Sequence, residues 1–255
     1  MKRLIFLSFV FAHGAFAQSK AVDPFAPNSE KNPRPPSQVQ VTVEFIEVSQ
    51  VEENRLIYAE KLGRNGDKLR AELQHLIDAG KGTMINSILV SAKSGQKATA
   101  ESIREVIYPT EWSPVSCLPP QDGDPPAVKP NPLETFLSIA VPTAFTTRNT
   151  GSTLEVEPTL SEDARIIDLR FVPELVFDTG SRVYHRSKDA LGNETVVEEP
   201  LFYSFRTNTG LTLADGRSQL AAVLSPKGAD GALDPTTKAL VIVRADVVTI
   251  DPSEK

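Results

Sequence analysis

Apolar and polar residues alternate in segment after segment of this chain, and that pattern leaves little room for anything but β-sheet. Val39, Val41, Val43 and Phe45 fall on one face of an extended chain, while Gln40, Thr42 and Glu44 fall on the other. Leu154 and Val156 alternate in the same way with Glu155 and Glu157, as do Ile167, Leu169 and Phe171 with Asp168 and Arg170. The period of two predicts strands at 39–48, 83–91, 97–108, 137–147, 152–160, 164–175, 201–214, 218–225 and 239–250. The polar stretch 178–199, with Gly180 and Gly192, reads as a hairpin or an exposed loop.

Turn chemistry separates these segments. Gly95 in Lys93-Ser94-Gly95-Gln96, Gly151 after Asn149-Thr150, and Gly216 after Asp215 are each placed to accept a positive φ. Ser161-Glu162-Asp163 supplies another turn. Pro109 is expected to end a strand, and Pro158 to interrupt one at an edge or bulge. The period changes to 3.6 only at 67–79, where Leu69, Leu73, Leu76 and Ile77 form one apolar stripe. Asp67 stands there in the N-cap position and Gly80 at the C-terminal stop. The expected fold is mainly β (α+β): an antiparallel sheet domain over 39–250 with one packed amphipathic helix.

The flanks read differently. Lys2 and Arg3, the apolar run Leu4–Ala12 and the Ala15-Phe16-Ala17 site together predict a signal peptide over 1–17 with cleavage before Gln18. The apolar run falls short of the ~20 residues a spanning helix needs. Residues 18–38 carry five prolines and read as an extended leader; 251–255 read as a tail. A second proline-rich stretch, 109–136, interrupts the β pattern as a long loop and contains Cys117.

Chemistry is sparse. Cys117 is the only cysteine, so no internal disulfide can close. It reads as an incidental thiol, with no His or basic cluster near it in sequence. His75 and His185 have no metal-ligand spacing around them, and no nucleophile or phosphate-loop motif occurs. The chain is therefore expected to be no enzyme, with no catalytic, cofactor-binding or metal-binding residues. The net charge of −6, about −8 once Lys2 and Arg3 are removed, disfavours nucleic acid and anionic lipid as partners.

Five blocks occur in an order that resembles one family. A strand ending Glu47-Val48-Ser49 precedes the helix, and SILVSAKSGQKAT (87–99) follows it. RNTGSTLEVEPTLSEDARIIDLRFVPEL (148–175), LFYSFRTNTGLTLADGRSQLAAVL (201–224) and KALVIVRADVV (238–248) come next. Together they resemble the secretin homology domain of type II and type III secretion and type IV pilus outer-membrane channels. The resemblance implies a homo-oligomer working with other secretion or pilus components, at the outer membrane or in the periplasm of a Gram-negative-type bacterium. It implies no small-molecule substrate. Strands 137–147, 152–160 and 164–175 are the candidates for a channel wall. Two departures stand out: Ala221-Ala222 replaces the family's glycine pair, and the polar SPKGADGALDPTT (225–237) stands where the family has an apolar stretch. A soluble periplasmic adaptor that keeps the fold without a pore is the other reading.

Overall fold

The computed structural model describes residues 37–58, 66–113, 141–188, 194–228 and 231–250. The expected signal peptide, nearly all of the leader, Cys117 and the tail lie outside the described residues. In chain order the elements are β1 (Ser37–Ser49), α1 (Gln50–Tyr58), α2 (Gly66–Asp78), β2 (Gly82–Lys93), β3 (Ala98–Trp112) and β4 (Pro142–Leu160). There follow β5 (Ile166–Lys188), β6 (Glu194–Arg206), β7 (Thr209–Ala214), β8 (Arg217–Leu224) and β9 (Thr237–Thr249).

Every strand pair is antiparallel, and the strands form two sheets. The first has the order β2-β1-β9-β8; the second has β3-β4-β5-β6, with β7 also on β5. The alternation decides how they stack. Val39, Val41, Val43 and Phe45 of β1 pack with Ala239, Val241, Val243 and Ala245 of β9 against Leu154, Val156, Ile167, Leu169 and Phe171 of the second sheet. The other face of β1 and β9 presents Ile46, Val48, Leu240 and Ile242 to the helices. The unbroken apolar run of β9 thus has a cause: this strand is covered on both sides.

The apolar stripe of α2 behaves as its spacing requires, with Leu69, Leu73 and Leu76 buried, each contributing about 2 kcal/mol. Arg70 clamps the helix to β1 through a bidentate pair with Glu44. Gly80 (φ 70°) ends it in a Schellman motif, with Gly80 N–H donating to Ile77 C=O and Lys81 N–H to Leu76 C=O. Asp67 differs from its expected capping role. Its carboxylate accepts from Ser218 N–H (2.8 Å) and Arg217 (2.7 Å), tying the helix start to β8.

Several expectations are corrected. There are two helices among the described residues, not one. The short α1 buries only Leu56 and has no apolar stripe to announce it. The region 149–151 is not a turn between two strands. β4 continues through it in constant register with β3, and the Asn-Thr-Gly signal is taken up by a kink at Gly151. Pro109 does not end β3, which continues to Trp112 after a register shift; β3 is an edge strand, where a missing N–H is tolerated. Pro158 likewise does not interrupt β4. It pairs with Leu169 in an unbroken register, its carbonyl accepts from Gly95 N–H, and β3 has not yet begun beside it.

The expected strand 201–214 becomes β6 and β7, with Thr207 and Asn208 between. Both halves keep one register on β5, and the gap lies opposite Pro173, which has no N–H to give Thr207. Finally, the turns at Gly95 (φ 73°) and at Asp215-Gly216 (φ 70°) are not hairpins. Each carries the chain from one sheet to the other.

Candidate functional site

The second sheet is longer than the sandwich it helps to build. β4 pairs with β5 only from Gly151↔Val176 to Leu160↔Ile167. Beyond that point β4 stays with β3, and β5 stays with β6, so the sheet forks into two two-stranded ribbons. The first ribbon joins β3 from Ile103 onward to β4 from Pro142 to Gly151. The second joins β5 from Phe177 to Lys188 with the β6 residues from Glu194 to Tyr203. Both strands kink near the fork: Gly151 has φ 110°, and Gly180 has φ 103° beside a register shift between Asp178 and Ser181. A cleft of about 390 Å³ opens at the parting, lined by Ile103, Arg148, Asn149, Glu174 and Val176 among others.

The ribbons lean face to face. Tyr108 packs on Phe202 at 5.7 Å between ring centres, and Arg104 pairs with Asp178 at 3.1 Å. Even-numbered β3 residues therefore look toward the second ribbon, and Ile103, Ile107 and their cross-strand neighbours look away. That outward face sets large apolar side chains in water between the polar Glu105, Thr147 and Asn149: Ile107 is 68% exposed, and Phe145, opposite Pro109, is 59% exposed. On the second ribbon Tyr184 is 74% exposed. Its cross-strand pairs Arg182–Glu199 (3.1 Å) and Arg186–Glu194 (2.5 Å) lie in water and contribute at most about 1 kcal/mol each.

An isolated two-stranded ribbon is marginal in water, and a row of exposed apolar side chains marks a surface awaiting cover. Open strand edges add to this. β3 and β6 bound the second sheet, β2 and β8 the first, and the facing edges of β4 and β5 are unpaired beyond the fork.

At the foot of the ribbons lies a half-buried carboxylate. Burial, and then the neighbouring Asp234, push Glu47 above its usual carboxylate range; burial and Glu47 in turn raise Tyr203. Asp234 itself is held low by hydrogen bonds from Thr236 and Thr237. A raised carboxyl favours folding while protonated, and that advantage is lost as pH rises through its folded pKa. Glu47→Gln should therefore raise the thermal midpoint by about 1–2 °C at pH 7–8 and leave it unchanged near pH 4. Paired melts at the two pH values check this; an equal shift at both would contradict it.

Of the residues singled out in sequence, Gly151 stands at the fork. Gly95, Pro158, Asp215 and Gly216 are gathered at the sandwich instead. The ribbons themselves were not read from the sequence, although the alternation of 103–108 and the hairpin at 178–199 carry them. His75 lies on the exposed face of α2, and His185 is on the second ribbon opposite Val197. Among the described residues no group of three His, Cys, Asp or Glu could hold a metal ion, and no helix is long and apolar enough to cross a membrane.

These features define a class: an antiparallel β-sandwich with helices on one face and two ribbons projecting from one sheet. No protein-family model matches the chain, and no curated protein matches it. Solved structures do. The InvG secretin-domain β-barrel of the Salmonella SPI-1 injectisome overlaps with a TM-score of 0.40 at 10% identity, over 87% of this chain and 65% of that one. The type II secretin GspD of enteropathogenic Escherichia coli gives 0.40 at 11% identity, over 84% and 69%. The type IV competence pilus secretin PilQ of V. cholerae gives 0.40 at 12% identity, over 85% and 62%. The chain thus spans roughly two thirds of the length of these secretins. Other similar structures hold InvG with PrgH and PrgK, and GspD with the pilotin AspS.

Proposed function

We propose that this chain is a secretin-like, non-catalytic component of a bacterial secretion or type IV pilus apparatus. It is exported and joins copies of itself in an oligomer at the outer membrane. The observation that carries this reading is the pair of ribbons: they project beyond the sandwich, leave Ile107, Phe145 and Tyr184 exposed, and are open at their edges. A β-structure in lipid must leave no backbone group unpaired, so an open sheet has to close on its neighbours. One chain contributes too few strands to close a wide wall. Copies arranged in a ring supply the missing edges, β3 of one meeting β6 of the next. The collinear sequence blocks support the same assignment.

The test is fractionation followed by native electrophoresis of the detergent-extracted protein. A high-mass oligomer in the outer-membrane fraction is expected. A monomer found wholly in the soluble periplasm defeats it and leaves the second reading, a soluble adaptor. One observation favours that alternative: Tyr108–Phe202 and Arg104–Asp178 already close the ribbons on each other within one chain.

A further inference from the structure

We propose that the fork between β4 and β5 is a latch: the ribbons are held apart in the free chain and zip into one four-stranded sheet when the chain assembles. The proposal rests on the oligomeric reading above and specifies the change that assembly demands of each copy.

Register carries the argument. The β4–β5 pairing runs without a shift from Leu160↔Ile167 to Gly151↔Val176. Continued past the fork, the same register sets Thr150 opposite Phe177, Arg148 opposite Thr179, Ala144 opposite Val183 and Pro142 opposite His185. The two unpaired runs, Pro142–Thr150 and Phe177–His185, lie in strands already paired on their other edges, save at Thr143 of the first and at the bulged Thr179, Gly180 and Tyr184 of the second, which zipping must straighten. They match in length, and no like charges come opposite one another in the continued register. Because they adjoin at the fork, pairing can spread from Gly151↔Val176 with almost no loop to close.

The two positive-φ glycines hold the strands apart. At Gly151 (φ 110°) β4 turns away with β3, and at Gly180 (φ 103°) β5 turns away with β6. The contacts Tyr108–Phe202 and Arg104–Asp178 then fasten ribbon to ribbon. Opening the latch bares the faces those contacts cover. A lone chain in water has nothing to put there, whereas an assembly covers both faces. The latched form keeps two mutually complementary edges turned away from stray strands until then.

Two cysteine pairs in a Cys117→Ser background test this. Tyr108→Cys with Phe202→Cys, joined by a short reducible bis-thiol cross-linker that takes the place of the two packed rings, can bridge only in the latched form, because zipping puts β3 and β6 three strands apart. Ala144→Cys with Val183→Cys can form a disulfide only in the zipped form. In the soluble monomer the first pair should cross-link and the second should not; in the detergent-extracted oligomer the order should reverse. Cross-linking the first pair before assembly should cut the assembled fraction at least tenfold, with recovery on adding reductant, which also shows that the variant folds. Undiminished assembly of the cross-linked 108/202 variant overturns the latch, as does an oligomer in which the 144/183 pair stays unlinked. If the wild-type chain never assembles, the channel reading fails. The latch is then judged on the monomer alone: a 144/183 cross-link formed on adding phospholipid vesicles supports it, and none overturns it.

Discussion

Gly151→Ala should lower the thermal midpoint of the monomer by about 10 °C. Two costs act together. A φ of 110° is open to glycine and strained for alanine, at roughly 1–2 kcal/mol. A Cβ built on Gly151 also comes within 2.2 Å of the Ser102 carbonyl oxygen on the paired strand β3. That contact is with backbone, so a strand must move, at about 1–3 kcal/mol more. Some 3 kcal/mol in total, at about 2–4 °C per kcal/mol for a chain of this size, gives the stated shift. Gly95→Ala is the natural control. Its φ of 73° is as unsuited to alanine, but a Cβ there meets nothing within 4 Å, so only about 1–2 kcal/mol is lost. Equal shifts for the two variants would remove the case for a crowded kink. The same substitution bears on the latch, because it penalises the kinked form of β4 and not a straight one. The less stable monomer should therefore yield the larger assembled fraction.

The sandwich was legible in sequence because its strands are half-buried. A face covered by a core and a face in water write a period of two directly into Val39–Phe45, Leu154–Val156 and Ile167–Phe171. β9 was legible for the opposite reason, as an apolar run covered on both sides. What escaped was anything decided by pairing partners. The turns at Gly95 and Gly216 have ordinary hairpin chemistry, yet each joins two sheets, and nothing local distinguishes a hairpin from a corner. Asn149-Thr150-Gly151 carries a turn signal that the structure answers with a kink inside a 19-residue strand. α1 had one signal that went unread. Ser49 and Glu52 have capping-box spacing, and Glu52 N–H does donate to Ser49 Oγ (3.2 Å). The ribbons were hardest to see: they run beyond the core, and the clean in-out alternation that marks β4 and β5 in the sandwich fades there.

Phe45→Ala should be the other severe change, costing about 3–5 kcal/mol, or roughly 10–15 °C in thermal midpoint. Phe45 is fully buried at the centre of β1, flanked by Asn86 of β2 and Val241 of β9. Its ring stacks on Phe205 of the second sheet, 6.2 Å between centres and 15° between planes. Phe205 in turn meets Phe177 and Tyr203 edge-on at 5.5 and 5.6 Å, and those two stack on each other at 4.6 Å. Phe177 and Tyr203 are where the second ribbon leaves the sandwich. Phe45 is thus the first sheet's grip on the ribbon's foot, and such aromatic pairs add about 0.5–1.5 kcal/mol to the area they bury. The loss should be felt along the ribbon: amide hydrogen exchange over Phe177–Lys188 should quicken more than exchange in α2, which packs on the opposite face of the first sheet. Phe145→Ala provides the comparison, since the same ring is removed from a side chain that is 59% exposed on the first ribbon. Its midpoint should move by no more than about 2 °C. If the two phenylalanine variants melt alike, or if exchange in the second ribbon is unchanged by Phe45→Ala, the aromatic cluster is not what anchors the ribbon to the sandwich.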